Sequence, residues 1–192
     1  GGMLTVLASA RYLEHIHSNW GEFYVLVLSS VTGMMLLVAA SDLIMLFLSL
    51  ELMSIPVYAL AGFRRASLRS NESAVKYFLI GSFASGILLY GMSMVYGATG
   101  SLQLGEIHAA AASTGDRTLL LFGVVFMLVG IAFKFGAAPF HMWLPDVYHG
   151  APTAITLFIG SAPKLAAFGM AYRLLESGVG PLDPYWQDMV AW

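Results

Sequence analysis

The sequence predicts an all-α integral membrane protein, a bundle of about five transmembrane helices of which one is broken by prolines. Three observations predict it. The 192 residues are 58% hydrophobic and only 10% charged, with a mean hydropathy of +0.77, whereas a soluble domain carries roughly a quarter charged residues. Several segments reach the length of about 20 apolar residues that crosses about 30 Å of hydrocarbon. The stretch from Leu119 to Pro163 holds a lysine, is interrupted by prolines, and then resumes as an apolar run towards Lys164.

The opening residues, G-G-M-L-T-V-L-A-S-A-R-Y, lack the charged start and cleavage site of a signal peptide. They read as the tail of a preceding span, so that residues 1–22 are expected to be the end of one helix and a loop. The other end stops at Ala191 and Trp192 without a polar tail. The expectation is a fragment cut at both ends, with a five-helix unit over residues 23–175 and a loop leading into a further helix over 176–192.

The expected spans are Phe23 to Ala40, Leu43 to Phe63, Ala74 to Gly97, Leu119 to Pro145 with an internal break, and Thr153 to Leu175. Ser41 and Asp42 join the first two, and Asp42 is placed to cap the second at its amino end. The loop R-R-A-S-L-R-S-N-E, Arg64 to Glu72, has three arginines, which assigns it to the cytoplasmic side. The loop Ala98 to Thr118, rich in Ala, Ser and Gly, then faces outward. Gly81, Ser85, Gly86 and Gly91 in the third span are small enough to admit close helix packing.

Composition also excludes functions. Without cysteine, the chain has no thiolate-ligated iron–sulfur cluster, disulfide or catalytic thiol. A net charge of −2 without a basic cluster argues against nucleic acid, and no glycine-rich dinucleotide fingerprint or phosphate loop is present. His15 and His17 read as interfacial residues rather than metal ligands. Trp20, Trp143 and the tyrosines fit interfacial belts and packing.

The charges are sorted by position. All six arginines lie in loops or near span ends, while the three lysines, Lys76, Lys134 and Lys164, fall inside apolar segments, and of the eleven acids only Glu51 lies near mid-span. A charge at the bilayer centre costs about 2.5 to 3.5 kcal/mol on insertion scales, so such groups are paired, hydrated or functional. Glu51, in L-S-L-E-L-M-S-I-P, is a candidate proton-storing carboxylate, with Pro56 placed to kink its helix. Lys76 either joins it or snorkels to the interface. At about 1.5 Å per residue, Glu51 stands deep inside its helix and Lys76 close to the start of its own, so direct contact does not follow from spacing.

A straight helix from Leu119 to Pro145 would be ~40 Å long, more than the hydrocarbon allows. Pro139 and Pro145, with Gly136 nearby, are expected to break it, and broken helices at membrane depth line polar cavities at ion sites. His141 follows Lys134 by seven residues, the same face if helicity persists, and imidazole passes protons near neutral pH. Lys164 follows Pro163 deep in the last span, where burial disfavours an ammonium and a nearby carboxylate favours it. Asp146 and His149 stand at the mouth of the broken segment, as helix-end caps or as aids to proton uptake.

Four stretches carry a family resemblance: D-L-I-M-L-F-L-S-L-E-L-M-S-I-P from Asp42, S-A-V-K-Y-F from Ser73, F-K-F-G-A-A-P-F-H-M-W-L-P-D-V-Y-H-G-A-P from Phe133, and the segment to Lys164. They resemble the antiporter-like membrane subunits of proton-translocating NADH–quinone oxidoreductase, respiratory complex I, and within it the N-type. The multisubunit sodium/proton antiporters share the general plan. The resemblance implies one half of an inverted-repeat fold and a proton relay of Glu51, Lys76, Lys134, His141 and Lys164. It also implies an enzyme complex of the translocase class in a bacterial inner membrane, with L-, M- and K-type subunits as neighbours. NADH, FMN, iron–sulfur clusters and quinone would all be carried by partner subunits, none by this chain. The rival readings are a subunit of a cation/proton antiporter and a structural membrane spacer.

Overall fold

The computed structural model describes Ser9, residues 21–113, Gly115 and residues 117–191. The expectations for residues 1–20, among them a preceding helix end, His15, His17 and Trp20, lie outside the described residues. The helices are α1 (Gly21–Ala39), α2 (Leu43–Ala61), α3 (Leu68–Thr99), α4 (Leu104–Ser113), α5 (Thr118–Phe135), α6 (Trp143–Gly150) and α7 (Thr153–Tyr172). A π-helical turn, Arg173–Gly178, extends α7, and a short 3-10 turn, Gly180–Leu182, leads into α8 (Asp183–Ala191). Five of these elements are long and apolar enough to cross a membrane: Gly21–Ala39, Leu43–Ala61, Leu68–Thr99, Thr118–Phe135 and Thr153–Gly178. The chain is a multi-pass membrane protein.

Local chemistry sets the boundaries. Asp42 caps α2 as expected, its Oδ1 accepting from the Met45 amide at 2.8 Å. Ser67 caps α3, which therefore starts six residues before the expected span and takes in most of the arginine-rich loop. At 32 residues α3 is ~48 Å long, so one end must project beyond the hydrocarbon. Lys76 is thus eight residues into its helix, ~12 Å from its start rather than close to it. The loop expected to face outward contains a short helix, α4. That loop and the Asp42 hairpin meet through amide bonds from Leu43 to the Leu102 carbonyl and from Leu104 to the Ser41 carbonyl, both 3.0 Å.

Helix packing uses small residues. A Cβ on Gly91 in α3 would stand 2.7 Å from the Gly123 carbonyl oxygen of α5, and one on Gly123 would stand 2.9 Å from that of Gly91. Reciprocal glycines thus bring the two backbones together where lipid supplies no hydrophobic drive. Between α1 and α2, Gly33 lies against the Met53 backbone and the Ser30 hydroxyl donates to the Met53 carbonyl at 2.9 Å. Gly81 faces the Tyr58 hydroxyl, whereas Gly86 has nothing within 4 Å of a would-be Cβ. The expectation that Gly86 packs closely is therefore incorrect. Leu46, Leu50, Leu88, Val124, Met127 and Phe158 fill the interior, while Met35, Phe83 and Leu165 point outward, as in a bundle surrounded by apolar solvent.

The break in the fourth span falls at Gly136, which ends α5 in the left-handed region at φ 70°. A side chain there would be strained, and glycine is the residue that ends helices in this way. Pro145 does not interrupt a helix. It sits in the first turn of α6, where a proline nitrogen has no intrahelical bond to lose. Pro56 likewise lies inside α2, which continues to Ala61.

Candidate functional site

Helix α2 lays Glu51, Ser54 and Tyr58 along one face, at offsets of three and seven residues. Lys134, in the last turn of α5, reaches this face from the side. Its Nζ donates to the Ser54 hydroxyl at 2.6 Å and to the Tyr58 hydroxyl at 3.4 Å. The ammonium also lies 5.6 Å from the Tyr58 ring centre and 5.9 Å from that of Phe133, within range of cation–π attraction. Glu51 is partly buried, and its Oε1 accepts from the Ser85 hydroxyl of α3 at 2.5 Å. Neither Ser54, Tyr58 nor Ser85 was read as functional from the sequence. The signal for the first two was their spacing from Glu51; Ser85 was taken only for packing.

The helix break supplies acceptors. Helix ends leave carbonyls short of regular i to i+4 partners; the Gly136 amide reaches the Phe133 carbonyl at 3.0 Å, and two distant side chains add bonds at this end. The Trp143 indole nitrogen donates to the Phe133 carbonyl at 3.1 Å, and Lys164 Nζ to the Phe135 carbonyl at 3.2 Å. A cation at a helix carboxyl end is favoured by the helix dipole as well as by the bond. Lys164 is partly buried and lies 6.0 Å from the Tyr148 ring centre. Trp143 serves packing: it is 2% exposed and stacks on Tyr77 with ring centres 4.6 Å apart and planes 8° from parallel.

Lys134 and Lys164 line one small cavity of about 10 Å³, together with Ser54, Tyr77 and Trp143. That is room for about one water molecule. The Tyr148 hydroxyl is buried and finds no hydrogen-bond partner among the described residues.

Two expected site residues stand apart from this core. Lys76 pairs with Glu72 at 2.8 Å and with Asp146 at 3.1 Å, not with Glu51. Ser85, which holds Glu51, is nine residues further along α3, ~14 Å by helical rise. His141 is exposed on the turn between α5 and α6. Because α5 stops at Phe135, the helical spacing that would put His141 on the face of Lys134 does not hold. Among the described residues no cluster of three or more His, Asp or Glu could hold a metal ion.

The chain that carries this mid-span carboxylate, three lysines inside spans and a helix broken beside one of them is similar to known proteins. A family model for the transmembrane region of NADH:quinone oxidoreductase and Mrp antiporter proteins matches residues 40–192. NADH-quinone oxidoreductase subunit N of Xanthomonas euvesicatoria is 57% identical over 187 residues, covering 97% of this chain and 38% of that protein. A chain of respiratory complex I from Thermus thermophilus, solved with bound aureothin, superposes with a TM-score of 0.74 at 41% identity, over 90% of this chain and 38% of that one. A chain of the Mrp complex from Dietzia gives a TM-score of 0.75 at 27% identity, over 86% and 31%. The chain thus spans about two-fifths of the length of the subunit N proteins it matches. It belongs to the family of NADH:quinone oxidoreductase and Mrp antiporter transmembrane subunits.

Proposed function

We propose that this chain is part of a subunit N of a proton-translocating NADH–quinone oxidoreductase and forms the cytoplasmic uptake half of its proton path. The observation that carries the reading is Lys134 at a helix break, bonded to Ser54 and Tyr58 and sharing a water-sized cavity with Lys164. Protons cross by exchange among buried groups, with no covalent chemistry in this chain. Glu51 rests on Ser85; a move of its carboxylate towards Lys134 favours a proton on the amine by Coulomb attraction, and its return removes that attraction. The proton then passes through water to Lys164, with His141 and Lys76 as outlying members of the relay. NADH oxidation and quinone reduction, with FMN and iron–sulfur clusters, belong to partner subunits, and L-, M- and K-type subunits are its membrane neighbours. The membrane is the bacterial inner membrane, with the Arg64–Glu72 segment cytoplasmic.

The likeness to the Mrp chain keeps a cation/proton antiporter subunit as the second reading, which a co-purifying flavin and iron–sulfur arm would exclude. The test of function is Lys134→Met in the complete complex. Loss of quinone-linked proton pumping, with assembly on a native gel unchanged, is expected. Equal loss of assembly and turnover would instead mark a structural spacer.

A further inference from the structure

The short helix α6 lies along the first turns of α3 in an antiparallel register with three successive contacts. Trp143 stacks on Tyr77, Asp146 pairs with Lys76 at 3.1 Å, and Gly150 meets Ser73, where an added Cβ would stand 2.6 Å from the Ser73 Cβ. On one side of this seam is an open vestibule of about 300 Å³ ringed by Arg69, Glu72, Lys76, Asp146 and His149. On the other side is the small cavity of Lys134, whose wall includes Tyr77 and Trp143. The stacked aromatic rings thus line the Lys134 cavity, while the next contact along the seam, Lys76 with Asp146, lines the charged vestibule.

We propose that Asp146 and Lys76 form the latch of a gate whose plug is the Trp143–Tyr77 stack. This rests on the proton-path reading and adds to it a place where water access to Lys134 is controlled. The Lys76 and Asp146 side chains are 41% and 51% exposed, so the pair adds little to stability and exchanges readily with water and with Glu72. An ion pair that weak cannot be the cement of the bundle, but it can bias a helix of eight residues between two positions. Neutralising either partner frees α6 to move from α3, and because Trp143 also donates to the Phe133 carbonyl, that movement reaches the residue beside Lys134. Asp146 is thus a positioning residue. Its surroundings contain Arg69, Glu72 and Lys76 from α3 and His149 from its own helix, and of these Lys76 makes the cross-helix bond.

The test is Asp146→Asn in the complete complex, reconstituted in vesicles, with protons translocated per NADH oxidised measured alongside electron transfer. A gate predicts electron transfer near that of the unaltered complex, a severalfold lower proton ratio, and recovery of the ratio by Asp146→Glu. An unchanged ratio in Asp146→Asn overturns the proposal, and so does parallel loss of assembly in both variants, which would make the pair merely structural. Lys134→Met run beside them separates the two failures. If it too pumps normally, the proton-path reading falls. If it alone stops pumping, only the gate falls.

Discussion

Lys134 Nζ donates to the hydroxyl of Ser54 at 2.6 Å, so the lysine of the broken helix is tied to a residue one turn beyond Glu51 on α2. A hydrogen bond to a charged group contributes about 1.5 to 3 kcal/mol. Ser54→Ala is expected to lower proton translocation by roughly tenfold, the equivalent of about 1.4 kcal/mol on a barrier. Tyr58→Phe, which removes a longer bond of 3.4 Å, is expected to have the smaller effect. Pumping assays on both variants, with assembly checked on native gels, test this order.

The bond between Ser85 and Glu51 leads to a non-additive pair. Ser85→Ala leaves a partly buried carboxylate without its donor, at a cost of about 1 to 3 kcal/mol. In a Glu51→Gln background the same change has less to remove, so the double variant is expected to be less destabilised than the sum of the single ones. Thermal midpoints of the purified full-length protein in detergent measure the difference.

Three glycines on α3 are expected to respond differently to alanine. Gly91→Ala pushes a methyl group against the Gly123 carbonyl, and overpacking of this kind costs about 1 to 3 kcal/mol. Gly81→Ala collides with the Tyr58 hydroxyl, and Tyr58→Phe is expected to relieve much of that strain. Gly86→Ala meets nothing and is expected to be neutral or to gain about 0.5 to 1 kcal/mol from helix propensity. The same thermal midpoints would show the ranking.

Trp143→Phe keeps an aromatic ring on Tyr77 but removes the donor to the Phe133 carbonyl. The expected loss is about 1 kcal/mol, together with faster hydrogen exchange in the turn after Phe135. Unchanged exchange there would show that the indole bond does not hold the break.

The spans, the Asp42 cap and the existence of a break were legible in the sequence because each depends on local chemistry: apolar length, a capping side chain, a glycine; its place was not, since Gly136 ends the helix and Pro145 sits in the first turn of the next. Lys134 and Glu51 stood out because a charge inside an apolar run has few innocuous explanations. The partners were not. That Lys134 would meet Ser54 and Tyr58, or Lys76 would meet Asp146 70 residues away, depends on how helices pack across long sequence separations. His141 shows the opposite error. Its spacing from Lys134 carried meaning only within a continuous helix, and Gly136 ends that helix. Trp143 was legible as a packing residue, but not its stack on Tyr77, which depends on how α6 lies against α3.

If a proton crosses at Lys134, protons translocated per NADH oxidised, measured in vesicles carrying the complete complex, fall in Lys134→Met while the complex still assembles fully. A ratio equal to that of the unaltered protein would mean that the proton crosses elsewhere.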